Sequence, residues 1–245
     1  MSEPQIQLHR AGQRFLTQTD RVTSHQLFSF GEHYDPDNVG FGSLMVSNDE
    51  VVRPGPGYDD HPHADAEIIT WVLSGSLVHE DSQGNTGLVY PGLAQRMSAG
   101  SGIVHAERND AYRIDPTRPV EPVHLVQMWV RPDAPGAAPS YEQRELDLTA
   151  LARQWVPVAS GADPDAVVSL ASVGSTLWAT HVNEGVSRPL PADGLGHLYV
   201  ASGQVEVESV GVLATGDSLR LRDAAGLRVS GTDAEAEVLL WEMTL

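Results

Sequence analysis

Short runs of alternating apolar and polar residues lie between glycines and prolines along the whole chain. Gly42–Ser47, Ile68–Leu73, His124–Val130, Leu177–Val182, Gln204–Glu208 and Glu237–Trp241 are such runs. Successive side chains of a strand point to opposite faces, so a period of two suits half-buried strands. Turn signals at this short spacing indicate an all-β sandwich or barrel. Asp81-Ser-Gln-Gly-Asn85 is a turn cluster between two strand-like segments.

The chain also repeats itself. Trp71–Glu80 (WVLSGSLVHE) matches Tyr199–Glu208 (YVASGQVEVE), each reading as strand, Ser-Gly turn, strand. Leu88–Gly92 matches Val212–Gly216 downstream. Two copies of one β-fold are the simplest account, and 245 residues suit two domains. Arg131–Pro139, rich in Pro, Ala and Gly, reads as a linker. The leucines and charges of Leu146–Gln154 suit a short helix. The expected division is an N-terminal domain over 1–135, a linker with a short helix over 136–160, and a C-terminal domain over 161–245.

Cysteine is absent, which excludes disulfides, thiolate metal sites and a Cys nucleophile. Any metal must be held by imidazole and carboxylate. The formal charge of −18 disfavours phosphate backbones and anionic membranes. Met1–Arg10 shows no apolar signal-peptide core, and no run approaches the length of a membrane span, so a cytoplasmic location is expected.

His61-Pro-His63 and His105-Ala-Glu107 carry the chemistry. Residues i and i+2 of a strand share a face, so each pair can aim two ligands at one point inside a barrel. Three imidazoles and one carboxylate suit Fe(II), Mn, Ni, Cu or Zn, with Fe(II) the first candidate and one ion per chain. Glu67 has the same strand parity as His61 and His63 and is the rival carboxylate; with Glu107 preferred as ligand, Glu67 becomes a candidate for holding an imidazole N–H. His79 and His124 read as polar residues satisfied in strands, and His9, His25, His33, His181 and His197 have no partner spacing. Aligning the repeats sets Pro189 and Pro191 opposite His61 and His63, and Val229 and Gly231 opposite His105 and Glu107. None of these can ligate, so the second copy is expected to keep the fold without the site.

At these residues the sequence resembles the pirin family of bicupins, chains with two jelly-roll cupin barrels. The matching segments are Phe28–Pro36, His61–Thr70, His79–Asn85 and Met97–Glu107, the last carrying the pattern S-A-G-x-G-I-x-H-x-E. The resemblance implies an all-β bicupin fold and the ligands His61, His63, His105 and Glu107. It implies an active site in the N-terminal barrel, of the quercetin 2,3-dioxygenase type that opens a flavonol ring with O₂ and releases carbon monoxide. The partners would then be a small aromatic, enolic substrate and O₂; in the mechanism expected for such a site the metal binds the deprotonated hydroxyl, and Glu107 is the catalytic candidate for accepting its proton where it can swing off the metal. Other members of the family act as transcriptional co-regulators through protein partners, so a metal- or redox-sensing module that docks a protein is the alternative. Many relatives carry Arg after H-P-H; Ala64 stands there in this chain.

Overall fold

The computed structural model describes residues 4–191 and 194–244, so the first three residues of Met1–Arg10 lie outside it. Four sheets, antiparallel except where Val156–Ser160 pairs with Val168–Ser169, form two similar barrels, each a seven-stranded sheet facing a four-stranded one. The all-β bicupin expectation holds. Turns fall where the Gly and Pro punctuation put them: Gly75 and Gly203, both at positive φ, make the two Ser-Gly turns, each carrying the chain from a long sheet to a short one.

In the first barrel the long sheet runs, in spatial order, Ser140–Glu145, Leu93–Ser98, Glu67–Ser74, Val123–Val130, Leu44–Val52, Val22–Gln26, Phe15–Gln18. The short sheet runs Gly55–His63, Ile103–Asn109, Leu77–Asp81, Thr86–Val89. The register aligns one polar row across the long sheet: Gln26, Asn48, Gln127, Thr70, Gln95 and Gln143 are successive cross-strand neighbours. Trp129, Ile68, Met97 and Tyr141 form an apolar row on one side of it, and Glu50, Leu125 and Val72 a row on the other. Alternating faces put these rows inside the barrel.

The second barrel is filled differently. Val182, Leu198, Val200, Val205, Val207, Leu213, Leu219, Leu221, Val229, Val238 and Leu240 make its buried core. Arg228–Gly231 pairs with Gln204–Val207 and Ser187–Pro189 much as Ile103–Asn109 pairs with Leu77–Asp81 and Gly55–His63. Val229 is fully buried there among aliphatic neighbours. The two long sheets pack face to face, and Phe28, Ile69, Trp71, Met128, Leu177, Tyr199 and Trp241 belong to the cluster between them.

Two segments depart from the expected division. Gln5–His9 belongs to the second barrel, where it pairs with Ser218–Arg222. The expected linker over 136–160 does contain a one-turn helix, Leu148–Leu151, capped by the Asp147 carboxylate on the N–H groups of Thr149 and Ala150. It also contains two strands: Ser140–Glu145 on the edge of the first barrel and Val156–Ser160 in the second. The first is an edge strand of mostly exposed polar residues, so it lacks the alternation that marks a half-buried strand.

Candidate metal centre

His61 and His63 come from Gly55–His63, and His105 and Glu107 from its neighbour Ile103–Asn109. His105 lies directly opposite His61, and the ladder shifts register between His105 and Glu107. Gly57 makes the close passage possible: it is at φ +56°, and a Cβ there would overlap the carbonyl oxygen of Glu107. The ring centroids of His61, His63 and His105 are 4.4–4.9 Å apart. Nitrogens from all three fall within 4.8 Å of one another. His79, from Leu77–Asp81, pairs across the ladder with Glu107, and the ligand atoms of His79, His105 and Glu107 form a second such group. His105 is therefore shared between two groups, and Glu107 falls with His79 rather than with His61 and His63.

The hydrogen bonds indicate which nitrogens are free. His61 Nδ1 donates to the Asp59 carbonyl at 2.7 Å, which leaves its Nε2 as the lone-pair nitrogen. His79 Nε2 is 3.4 Å from the Asp81 carboxylate, and its Nδ1 is 3.4 Å from His105 Nδ1. A carboxylate only accepts, so neutral His79 carries its proton on Nε2 and accepts from His105 Nδ1. His105 Nε2 then points its lone pair onward. His63 Nε2 and His105 Nε2 are both buried without a hydrogen-bond partner. Two buried nitrogens without partners are costly alone, and with a lone pair on each they are what a cation needs.

Burial first, then the neighbouring imidazoles, lowers the His63 pKa to about 4 and that of His105 to about 3. Both rings are thus neutral and ready to ligate near pH 7. Glu107 is 2% exposed. Gln127 Nε2 donates to its Oε2 at 2.7 Å, and Thr70 Oγ1 to its Oε1 at 3.3 Å. Trp129 Nε1 donates to Gln127 Oε1 at 3.1 Å, which fixes the amide so that its NH₂ faces the carboxylate. Trp129 also stands edge-on to His63 at 4.7 Å, with Phe30 packed on its far side at 5.5 Å.

Glu67 is elsewhere. Its carboxylate accepts from Ser98 Oγ at 2.9 Å and from the Ala171 N–H at 3.0 Å, so it ties the two halves of the chain together and holds no imidazole. Parity misled because the strand ends at His63 and the chain turns through Asp65, at φ +52°, before Glu67 opens the next strand. His79 was passed over; its signal was its place in the Leu77–Asp81 hairpin strand, beside the strand of His105 and Glu107. His124 holds Asp49 at 2.8 Å, away from the centre.

Two spaces adjoin the site. An open recess of about 470 Å³ is lined by Pro62, His63, Ala64, Ser82 and Gly102–Val104. A cavity of about 590 Å³ opens beside Phe15, Phe30, Glu50 and Tyr58, the Tyr58 ring lying 6.0 Å from that of His61. Among the described residues, both groups able to hold an ion lie in the first barrel.

Two barrels in one chain, one carrying a His/Glu cluster that could bind a metal and the other filled with aliphatic side chains, define a bicupin whose first half holds a possible metal-binding cluster. The chain belongs to the pirin family: the pirin family model matches residues 9–130, and similarity to relatives runs much further. A Mycobacterium tuberculosis protein with a provisional quercetin 2,3-dioxygenase name is 46% identical over 97% of this chain and 95% of its own. The quercetin 2,3-dioxygenase of Escherichia coli K12 is 34% identical over 97% of this chain and 98% of its own. The crystal structure of the E. coli bacterial pirin YhhW in complex with nickel(II) superposes with a TM-score of 0.86 at 29% identity, covering 98% of this chain and all of that one. No helix among the described residues is long and apolar enough to cross a membrane.

Proposed function

We propose that the protein is a metal-dependent dioxygenase of flavonol-like enolic phenols, with His61, His63, His105 and Glu107 as ligands of one divalent transition metal, Fe(II) first among the candidates. The observation that carries this reading is the pair of partnerless buried nitrogens, His63 Nε2 and His105 Nε2, beside His61. The names of the M. tuberculosis and E. coli relatives support the reaction class, and the nickel complex of YhhW supports a metal.

When bound, the ion would act as a Lewis acid that lowers the pKa of an enolic hydroxyl and brings it beside O₂. The chain's own groups do the rest. The recess at His63 admits a planar ring between Pro62, Ile103 and Val104. Glu107 would take the hydroxyl proton on swinging off the metal; its Oε1, held only by the long Thr70 contact, is the freer oxygen, while Gln127 Nε2 donates to Oε2. Trp129 packs edge-on against His63 and is itself backed by Phe30, which gives that flank of the site an apolar neighbour. Ala64 lines the recess where many relatives place an arginine, so this chain would hold its substrate without that cation.

The test is anaerobic purification, elemental analysis and O₂ uptake with quercetin, for wild type and His63→Ala. About one ion per chain, with uptake lost in the variant, is the expected result. Metal without uptake would remove flavonol oxidation and favour a binding module that docks a protein; no metal even after reconstitution would refute the centre.

A further inference from the structure

Among the described residues, eleven buried side-chain nitrogens and oxygens lack a hydrogen-bond partner. Five belong to the first barrel: His63, His105, and Gln26, Asn48 and Gln95 of the polar row. Five more lie together at another place: His9 Nε2, Arg14 Nη2, His197 Nε2, Ser218 Oγ and Arg220 Nε.

Strand register sets this second group on a grid. His9, Ser218 and Tyr199 are cross-strand neighbours in one row, and Gln7, Arg220 and His197 in the next. Leu8, Leu198 and Leu219 alternate with them and pack in the second barrel's core, so the grid faces the first barrel. Arg14 covers it, its guanidinium 4.6 Å over the Tyr199 ring. Phe28 lies 4.9 Å from the Arg220 guanidinium and 6.2 Å from the His197 ring.

The charge here is lopsided. Arg14 is 9% exposed, His197 1% and Ser218 fully buried. Arg14 donates only to carbonyls, those of Gly216, His25 and Ser47, and Arg220 to the amide oxygen of Asn38. Asp49 feels Arg14, but its oxygens already accept from Tyr199 and His124. Burial and the two arginines together disfavour protonation of both His9 and His197. Buried charges are normally paired; here Arg14 Nη2 and Arg220 Nε have no acceptor, and His9 Nε2, His197 Nε2 and Ser218 Oγ on the same grid have no partner. One space opens beside Arg14 and another beside Arg220. The first, of about 590 Å³, is lined by Arg14, His25, Asp49, His124 and Gly216, and the second, of about 230 Å³, by Gln7, Phe41, Arg220 and Arg222.

We propose that this is an anion site, in which a small oxyanion, a phosphate or a short carboxylate, sits between the barrels on Arg14, Arg220 and Ser218 with His9 and His197 donating from the sides. The arginines supply charge-assisted bonds, and neutral imidazoles with the proton on Nε2 supply two more. Because Arg14 precedes the first barrel's strands and the grid belongs to the second, the anion would bind the halves to one another. The site is independent of the metal centre and of any oxygenase activity.

Thermal unfolding and calorimetric titration with sodium phosphate and with sodium acetate, each against sodium chloride of matched ionic strength, test it. Wild type and His63→Ala should both show saturable stabilisation, since the latter removes only the metal centre. Ser218→Ala, which changes one buried hydroxyl, and Arg220→Gln should weaken the response about tenfold or more. A response to phosphate alone assigns a tetrahedral anion, to acetate alone a carboxylate, and either supports the site. The idea is overturned if neither anion acts beyond chloride, if His63→Ala abolishes the response, or if Ser218→Ala and Arg220→Gln both leave it unchanged.

Discussion

Glu50 points into the first barrel with only 3% of its surface exposed. Burial raises its pKa to about 7; the hydroxyls of Tyr58 and Ser24 and the amide of Asn48 pull the other way, and the Glu107 charge pushes it further up. Its unfolded value is 4.5. Between these two values the folded protein keeps a proton that the unfolded chain has released. Stability is therefore highest below pH 4.5, falls as pH rises through the window, and is lowest above about pH 7. Integrated from pH 5 to pH 8, this one group costs about 2.5 kcal/mol. Glu50→Gln keeps the shape and cannot ionise. Urea unfolding at both pH values, extrapolated to water, should show the variant gaining on wild type by about 2–3 kcal/mol from pH 5 to pH 8. Taking the difference between the two proteins cancels the titrating groups that do not interact with Glu50. Parallel pH dependence in wild type and variant would refute the reasoning, because Glu50 would then ionise as freely folded as unfolded.

Gln127→Leu leaves the buried Glu107 Oε2 without its 2.7 Å donor; a stability loss of about 1–3 kcal/mol and metal affinity lower by about 10–100-fold are expected by denaturation and competition titration. His79→Ala and His61→Ala separate the two possible ion positions: stoichiometry should survive the loss of His79 with weakened affinity and fall with the loss of His61, and the reverse pattern would place the ion at His79, His105 and Glu107. Asp49→Asn should destabilise in a pH-dependent way. Burial pushes the Asp49 carboxyl up, but His124 and Tyr199 outweigh it and hold it low, while Asp49 in turn raises His124. The Asp49 share is present above pH 3.8 and lost as pH falls through its folded value; the His124 share is full below pH 6.5 and lost as pH rises through its folded value. The substitution should thus cost most in melting temperature near pH 5 and less at pH 8.5.

The sequence carried the fold because both devices that build it are local. Alternation marks strands buried on one face, and the Ser-Gly turns announce the repeat twice. His61, His63 and His105 were legible because i, i+2 spacing survives within single strands. Glu67 was misread because parity ends where a strand ends, and no residue short of the Asp65 turn says so. His79 was overlooked for the complementary reason: its partner Glu107 lies on another strand, and cross-strand register is not written in either strand alone. The grid of His9, Ser218 and Arg220 was invisible on the same ground, since Gln5–His9 pairs with a strand more than two hundred residues away.

That long-range pairing bears on why one barrel can afford a polar interior. The first barrel buries His79, His105, Glu107, Glu50, Asn48, Gln95, Thr70 and Gln127, a set that stabilises only where every group is matched and costs where one is not. The second barrel buries almost pure Val and Leu, whose contribution needs no matching. The chain joins the two so that the second supports the first. Gln5–His9 leaves the N-terminus to complete the second barrel's sheet, the apolar cluster of Trp71, Met128, Tyr199 and Trp241 fills the space between the long sheets, and Glu67 grips the Ala171 backbone across it. Loss of ligands from the second barrel and its aliphatic filling are thus one change seen from two sides. A copy relieved of chemistry can be packed for stability, and the stability it gains reaches the copy that keeps the site through a shared sheet face and an exchanged strand.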